Sequence, residues 1–275
     1  MLRTRQVLGF AWRSVHLGLS TSALVILLSL AALAAENCLT ATDMDAATRS
    51  GLESTAKSYF DMAVRGDVAS LRQSSTTALA SNFGGIEAAV NDNKERFTGV
   101  QTTVRPPYLL EERGNTPAER ANFYCGIYNS PDRVGFAIPN LAPGNYGVVT
   151  LEVKTTKDGA YSVSMVLQQE GSASAATTAA ATPSGSWKLA GYYVRPQTIS
   201  GHDAQWFLDQ ARAFKAKGQV HNAYFYYLQA RQLMSPVDFM GTPQLDKLYD
   251  ETQQVIPKDL PVGGPVDQVL GGKNY

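Results

Sequence analysis

The stretch SYFDMAVRGDVASL, Ser58 to Leu71, holds a tyrosine eight residues before an aspartate. Tyr59 is the one candidate here for a catalytic hydrogen-bond donor, and a general base would have to reach the same substrate. The simpler reading is structural. Tyr59 and Phe60 supply apolar bulk to an amphipathic helix, Gly66 ends that helix, and Asp67 caps the next. Other chemistry-bearing residues are sparse. Beyond the first 34 residues the histidines are His202 and His221. Neither has a second ligand one helical turn away, so no metal site is expected. There is no G-x-S-x-G, no Walker loop, no G-x-G-x-x-G and no H-E-x-x-H, and no cofactor is implied. Glu111-Glu112 reads as a solvated strand end rather than a catalytic pair.

The first residues carry Arg3, Arg5 and Arg13, then an uncharged run from Ser14 to Ala35. Ala32-Leu33-Ala34 fits a signal peptidase site, so residues 1–34 are expected to be a secretory signal peptide. The alternative is an uncleaved anchor over residues 14–35, long enough for a bilayer. Ala35, Glu36 and Asn37 before Cys38 do not fit a lipid-attachment pattern. Loss of the three leader arginines leaves a net charge of about −3 and no basic stripe, so nucleic acid is not an expected partner.

The cysteines are Cys38 and Cys125 alone. An exported chain sits where disulfides persist, so the two are expected to pair, tying the N-terminal tail to a sheet. Buried free thiols are the alternative. The closed loop of about 87 residues would stabilise the fold by about 4 to 5 kcal/mol through loop-closure entropy.

These residues need elements to hold them. Leu52, Ala56, Tyr59, Phe60, Ala63 and Val64 share one helical face between Asp45 and Arg65. Val68, Leu71, Ser75, Ala78 and Leu79 continue as a weaker face, and a short helix follows near Gly84-Gly85, within Asn82 to Asn93. The period then changes. Thr98 to Val104 is strand-like until Pro106-Pro107. Ala121, Phe123, Cys125 and Ile127 alternate on one face of the next strand. Val149, Leu151 and Val153 alternate on another, and after the turn signal Lys157-Asp158-Gly159 so do Tyr161, Val163, Met165 and Leu167. The whole reads as a half-buried antiparallel sheet. Gly171 to Gly185 is low in complexity and reads as a mobile loop between two strands of that sheet. Ser186 to Pro196 returns as a strand. From Thr198 the helical period resumes as two helices hinged at Gly218 and a third from Thr242 to Ile256. The tail, residues 257–275, has no period and is expected to be extended.

Helices followed by an antiparallel sheet resemble, in order, the NTF2-like or SnoaL-like cone fold. Gly66-Asp67 with Val68 and Leu71, and the closing strand with Trp187, Lys188 and Leu189, carry that resemblance over residues 45–198. It implies a sheet curled about the first helix around a pocket, lined by Tyr59, Ala63, Phe123, Ile127, Leu151 and Met165. In ketosteroid-isomerase-like members a tyrosine at the position of Tyr59 stabilises an oxyanion, and a carboxylate stands about sixteen residues after the aspartate. Phe83 occupies that place here, no acid lies between Arg72 and Ile86, and Glu87 is misplaced. Glu152 is the remaining acid for an enzyme, with its alternation pointing outward. Ala211, Phe214, Gly218, Ala223, Tyr227 and Ala230 resemble the small and aromatic positions of one tetratricopeptide repeat. That implies a helical hairpin on which Tyr224, Phe225 and Tyr226 could meet a protein partner.

The expectation is therefore an exported bacterial α+β protein of the periplasm or outside. Residues 35–198 form an NTF2-like domain and residues 199–256 a TPR-like helical module. The expected function is non-catalytic binding of a small apolar ligand in the pocket, of a protein partner on the helices, or both. An NTF2-like isomerase, dehydratase or hydrolase using Tyr59, and a structural accessory domain without ligand, are the alternatives.

Overall fold

A computed structural model describes residues 36–155, 159–171 and 185–260, with the pairs 269–270 and 273–274. The expected leader, the anchor alternative, the turn residues Lys157-Asp158, nearly all of the low-complexity segment and most of the tail lie outside the described residues.

Asp45 caps α1 (Ala46–Val64) by accepting from the Thr48 backbone N–H at 2.9 Å. Its buried stripe is Leu52, Ala56, Tyr59, Phe60 and Ala63, the apolar face that the spacing predicts. Gly66 takes the left-handed conformation that ends it, which L side chains adopt at a cost. Asp67 then caps α2 (Val68–Gln73) through the Ser70 N–H. The weaker face does not run on as one helix. It breaks at Ser74 and restarts, capped by Thr76, as α3 (Thr77–Ser81); α4 (Gly84–Asn93) follows. The break lets Ser75 bridge to Leu189 and Thr76 donate to the Leu189 carbonyl at 2.8 Å. A pairing of such sequence separation carries no local signal.

The main sheet is antiparallel. It runs β1 (Glu36–Leu39), β3 (Tyr108–Glu112), β6 (Gly144–Lys154), β7 (Ala160–Gln169), β8 (Trp187–Pro196) in spatial order. β2 (Gln101–Val104) shares the same edge of β6 as β3. Pro106-Pro107 divides them, because proline has no N–H to give the ladder. Val149, Leu151, Val153, Val163, Met165, Leu167 and Leu189 face α1 and α4 and form one core with their buried residues. β7 hands over to β8 across a hydrogen bond from Glu170 N–H to the Ser186 carbonyl at 2.9 Å.

The strand expected from Glu119 to Tyr128 does not join this sheet. β4 (Ala118–Cys125) pairs with β5 (Val134–Leu141), and β5 with β11 (Met240–Gly241), as a separate three-stranded sheet. Left-handed Gly126 and Asn129 turn the chain back between β4 and β5. This second sheet covers the opposite face of the main one. Leu110, Tyr146, Val148 and Val166 meet Ala121, Phe123, Cys125, Val134 and Phe136 in a second core. The disulfide Cys38–Cys125, with Cα atoms 5.2 Å apart, crosses from β1 to β4 and so joins the two sheets.

A short ladder of β9 (Thr198–Ile199) with β10 (His202–Asp203) leads into the helices. Asp203 caps α5 (Ala204–Ala216), Gly218 turns the chain in the left-handed region, and α6 (Val220–Met234) returns. Ala211, Ala223, Tyr227 and Ala230 lie fully buried between them and α7 (Pro243–Gln253), with Leu248 and Val255. The linking residues 237–241 fasten these helices to the second sheet. β11 pairs with β5, and Phe239 packs on Phe136 and Tyr193 at 6.4 and 5.5 Å. Two short strands of the tail pair, β12 (Val269–Leu270) with β13 (Lys273–Asn274).

Candidate functional site

The Tyr59 hydroxyl donates to the Trp187 carbonyl at 2.7 Å and approaches the Ser74 carbonyl at 3.2 Å. Its single proton is therefore committed to the backbone. Burial, with Glu170 contributing, holds its pKa above the ordinary 10.0, although the contact at Ser74 opposes the shift. Phe83, where the isomerase-like pattern wants a base, is buried in the α1 core. Glu152 lies on the far face of β6 from Leu151 and Val153 and accepts from Arg105 at 2.6 Å. Among the described residues Phe83 and Glu152 do not supply a base to Tyr59.

The residues expected to line an inner pocket do other work. Tyr59, Ala63, Leu151 and Met165 are buried together in the α1 core. Phe123 is buried in the second core, on the other side of the main sheet. Ile127 is 79% exposed: β4 ends at Cys125, and the turn carries Ile127 out of the alternation. On the helices, Tyr226 is not a free surface but packs on Phe207, Phe214 and Trp206. Tyr224 is half-buried, while Phe225 stands 54% exposed, three residues before Leu228 on the same helix. Among the described residues no group of three or more His, Cys, Asp or Glu side chains gathers to hold a metal ion.

A cleft of about 730 Å³ opens instead on the outer face of the second sheet. Alternation creates it. Ala121, Phe123 and Cys125 point inward, so Arg120, Asn122 and Tyr124 point outward and form one wall. The floor is β5, where Gly135 is paired with Tyr124 on one side and with Gly241 on the other. The Tyr124 ring leans over Gly135: a Cβ there would touch it at 3.8 Å. A Cβ on Gly241 would meet nothing within 4 Å. Two glycines side by side thus leave bare backbone where a sheet usually carries side chains. The opposite wall is the start of α7, with Thr242, which caps it by accepting from Leu245 N–H, Pro243 and Asp246.

Charge is divided across this cleft. The Arg133 guanidinium lies 5.8 Å from the Tyr128 ring centroid, a cation–π approach. Tyr124 and Tyr128 remain 70% and 79% exposed. On the α7 side Asp238 is engaged by Arg195 at 2.5 Å. A second cleft, between α6 and α7, shares Asp238, Met240, Gly241 and Asp246 with the first and is bordered by Leu228, Arg231 and Tyr249. The sequence does contain the signal for the first cleft: Tyr124 and Tyr128 fall in the polar register of an alternating strand, where large aromatic residues gain nothing from burial. The floor carries no such signal, because Gly135 and Gly241 lie far apart in the chain.

Comparison with family models, with curated proteins and with solved structures finds no match for this chain. The fold and site define a mixed α+β protein with antiparallel sheets, a disulfide across them and an open outer cleft.

Proposed function

We propose that this chain is an exported, non-catalytic binding protein of the cell envelope, built on an NTF2-like scaffold with a TPR-like hairpin, whose ligand occupies the outer cleft. The observation that carries this reading is the contrast between the two faces. Around Tyr59 the described side chains are buried in one cluster, whereas the outer cleft has the volume of a small-molecule site and a few convergent polar groups. The committed Tyr59 proton and the burial of Phe83 weigh against the isomerase-like alternative. The test is a small-molecule screen by nuclear magnetic resonance on the isotope-labelled full chain, expressed with its own leader. Ligands should shift the amides of Tyr124, Gly135 and Gly241. Shifts centred on Ala63, Leu151 and Met165 instead would return the site to the inner face and end this reading.

A protein partner on the helices is a second reading. It rests on the exposure of Phe225, Leu228 and Tyr249, large apolar side chains that burial would favour covering.

A further inference from the structure

We propose that the outer cleft binds an acidic saccharide; this rests on the reading of that cleft as the ligand site. Size comes first. A volume of about 730 Å³ suits a short oligosaccharide rather than a folded partner. Surface chemistry comes next. A sugar ring offers an apolar face of C–H groups inside a rim of hydroxyls. Tyr124 presents a ring at the bare floor of Gly135 and Gly241, and Tyr128 stands at the mouth, so that apolar face has planar aromatic surfaces to lie on. Around them stand groups suited to hydroxyls: Asn122 on one wall, Asp246 on the other. Asp246 has no ion pair among the described residues and can accept.

Charge then selects among sugars. Arg105, Arg113, Arg195 and Arg212 each meet a carboxylate. Arg120 and Arg133, both on the cleft, form no ion pair among the described residues. A guanidinium fork matches a carboxylate in two parallel hydrogen bonds. Two such forks on a cleft that also carries Tyr124 and Tyr128 are complementary to the carboxylates of a uronic-acid chain. Of the two acids on the cleft, Asp238 is already neutralised by Arg195, and Asp246 stands on the opposite wall.

The test is isothermal titration of the full chain, expressed with its own leader, with tri-galacturonate and with the neutral galactose trisaccharide. The acidic probe should bind at least about tenfold more tightly, and its affinity should fall as salt rises. Arg133→Ala should cost about tenfold and Tyr124→Ala a comparable factor. Gly241→Leu places a side chain in space that is open in the fold, so it should abolish binding while the melting temperature holds. Phe225→Ala, on α6, should change nothing. Failure of tri-galacturonate to bind, equal binding of the neutral sugar, indifference to Gly241→Leu, or preference for an acidic peptide would each overturn the proposal. If screened molecules shift Tyr124 and Gly241 but no saccharide binds, the cleft stands as the ligand site and the saccharide assignment falls.

Discussion

Gly147 lies under α1, where an added Cβ would come within 2.1 Å of Leu52 Cδ2. Gly147→Ala should therefore force helix and sheet apart, costing about 1–3 kcal/mol and lowering the melting temperature. Tyr59→Phe leaves the ring in place but removes the donor to Trp187 and Ser74. It should cost about 1 kcal/mol in denaturant titration and leave ligand affinity unchanged. Tyr227 gives a pH prediction. Burial, then its hydrogen bond to Glu251, raises its pKa from 10.0 to about 12. The folded state thus holds a proton that the unfolded chain releases first. This contribution is fully present below pH 10 and is lost as pH climbs toward about 12. Melting followed by tyrosinate absorbance should show that decline, and Tyr227→Phe should flatten it. At this scale Gly66 and Asp67 were legible in the sequence, because capping is settled within a few residues. The partner of Tyr59 was not: Trp187 lies 128 residues on.

Elements were legible where their period was long and uninterrupted, as in α1, β6, β7 and the α5–α6 hairpin. β5 was not, since Gly135, Pro139 and Asn140 break its apolar alternation. β1 was missed as well, being four residues whose partner β3 is remote. β4 was recognised as a strand, yet the sheet it would choose depended on β5. The candidate cleft shared that fate, because its floor is shared between β5 and β11. The disulfide that joins β1 to β4 closes 87 residues of chain. Replacing both cysteines by serine should cost about 2–5 kcal/mol, read as a lower melting temperature insensitive to reductant. Hydrogen exchange should rise first in β1 and β4. Within the helices, Glu251 receives Arg212 at 2.9 and 2.8 Å and Tyr227 at 3.1 Å, so one carboxylate ties α5, α6 and α7.

In the whole molecule two cores share the main sheet, and a third lies among the helices. Among the links between that third core and the rest are β11, the ring of Phe239 against Phe136 and Tyr193, and the Arg195–Asp238 pair. Phe239→Ala should loosen this joint at a cost of up to about 3 kcal/mol. Amide exchange would then quicken in β11 and the start of α7 while β6 and β7 keep their protection. No sequence pattern announces the two strand residues and the ring at this joint. The Glu170 N–H donates to the Ser186 carbonyl at the end of β7. This bond holds Glu170 and Ser186 together where β7 gives way to β8, so these two described residues are fixed by the sheet. Lengthening the chain between two such fixed points costs little, growing only with the logarithm of its residue count. That position is accordingly a natural graft point, where an epitope or a reporter domain can be spliced in while both clefts and all three cores stay intact.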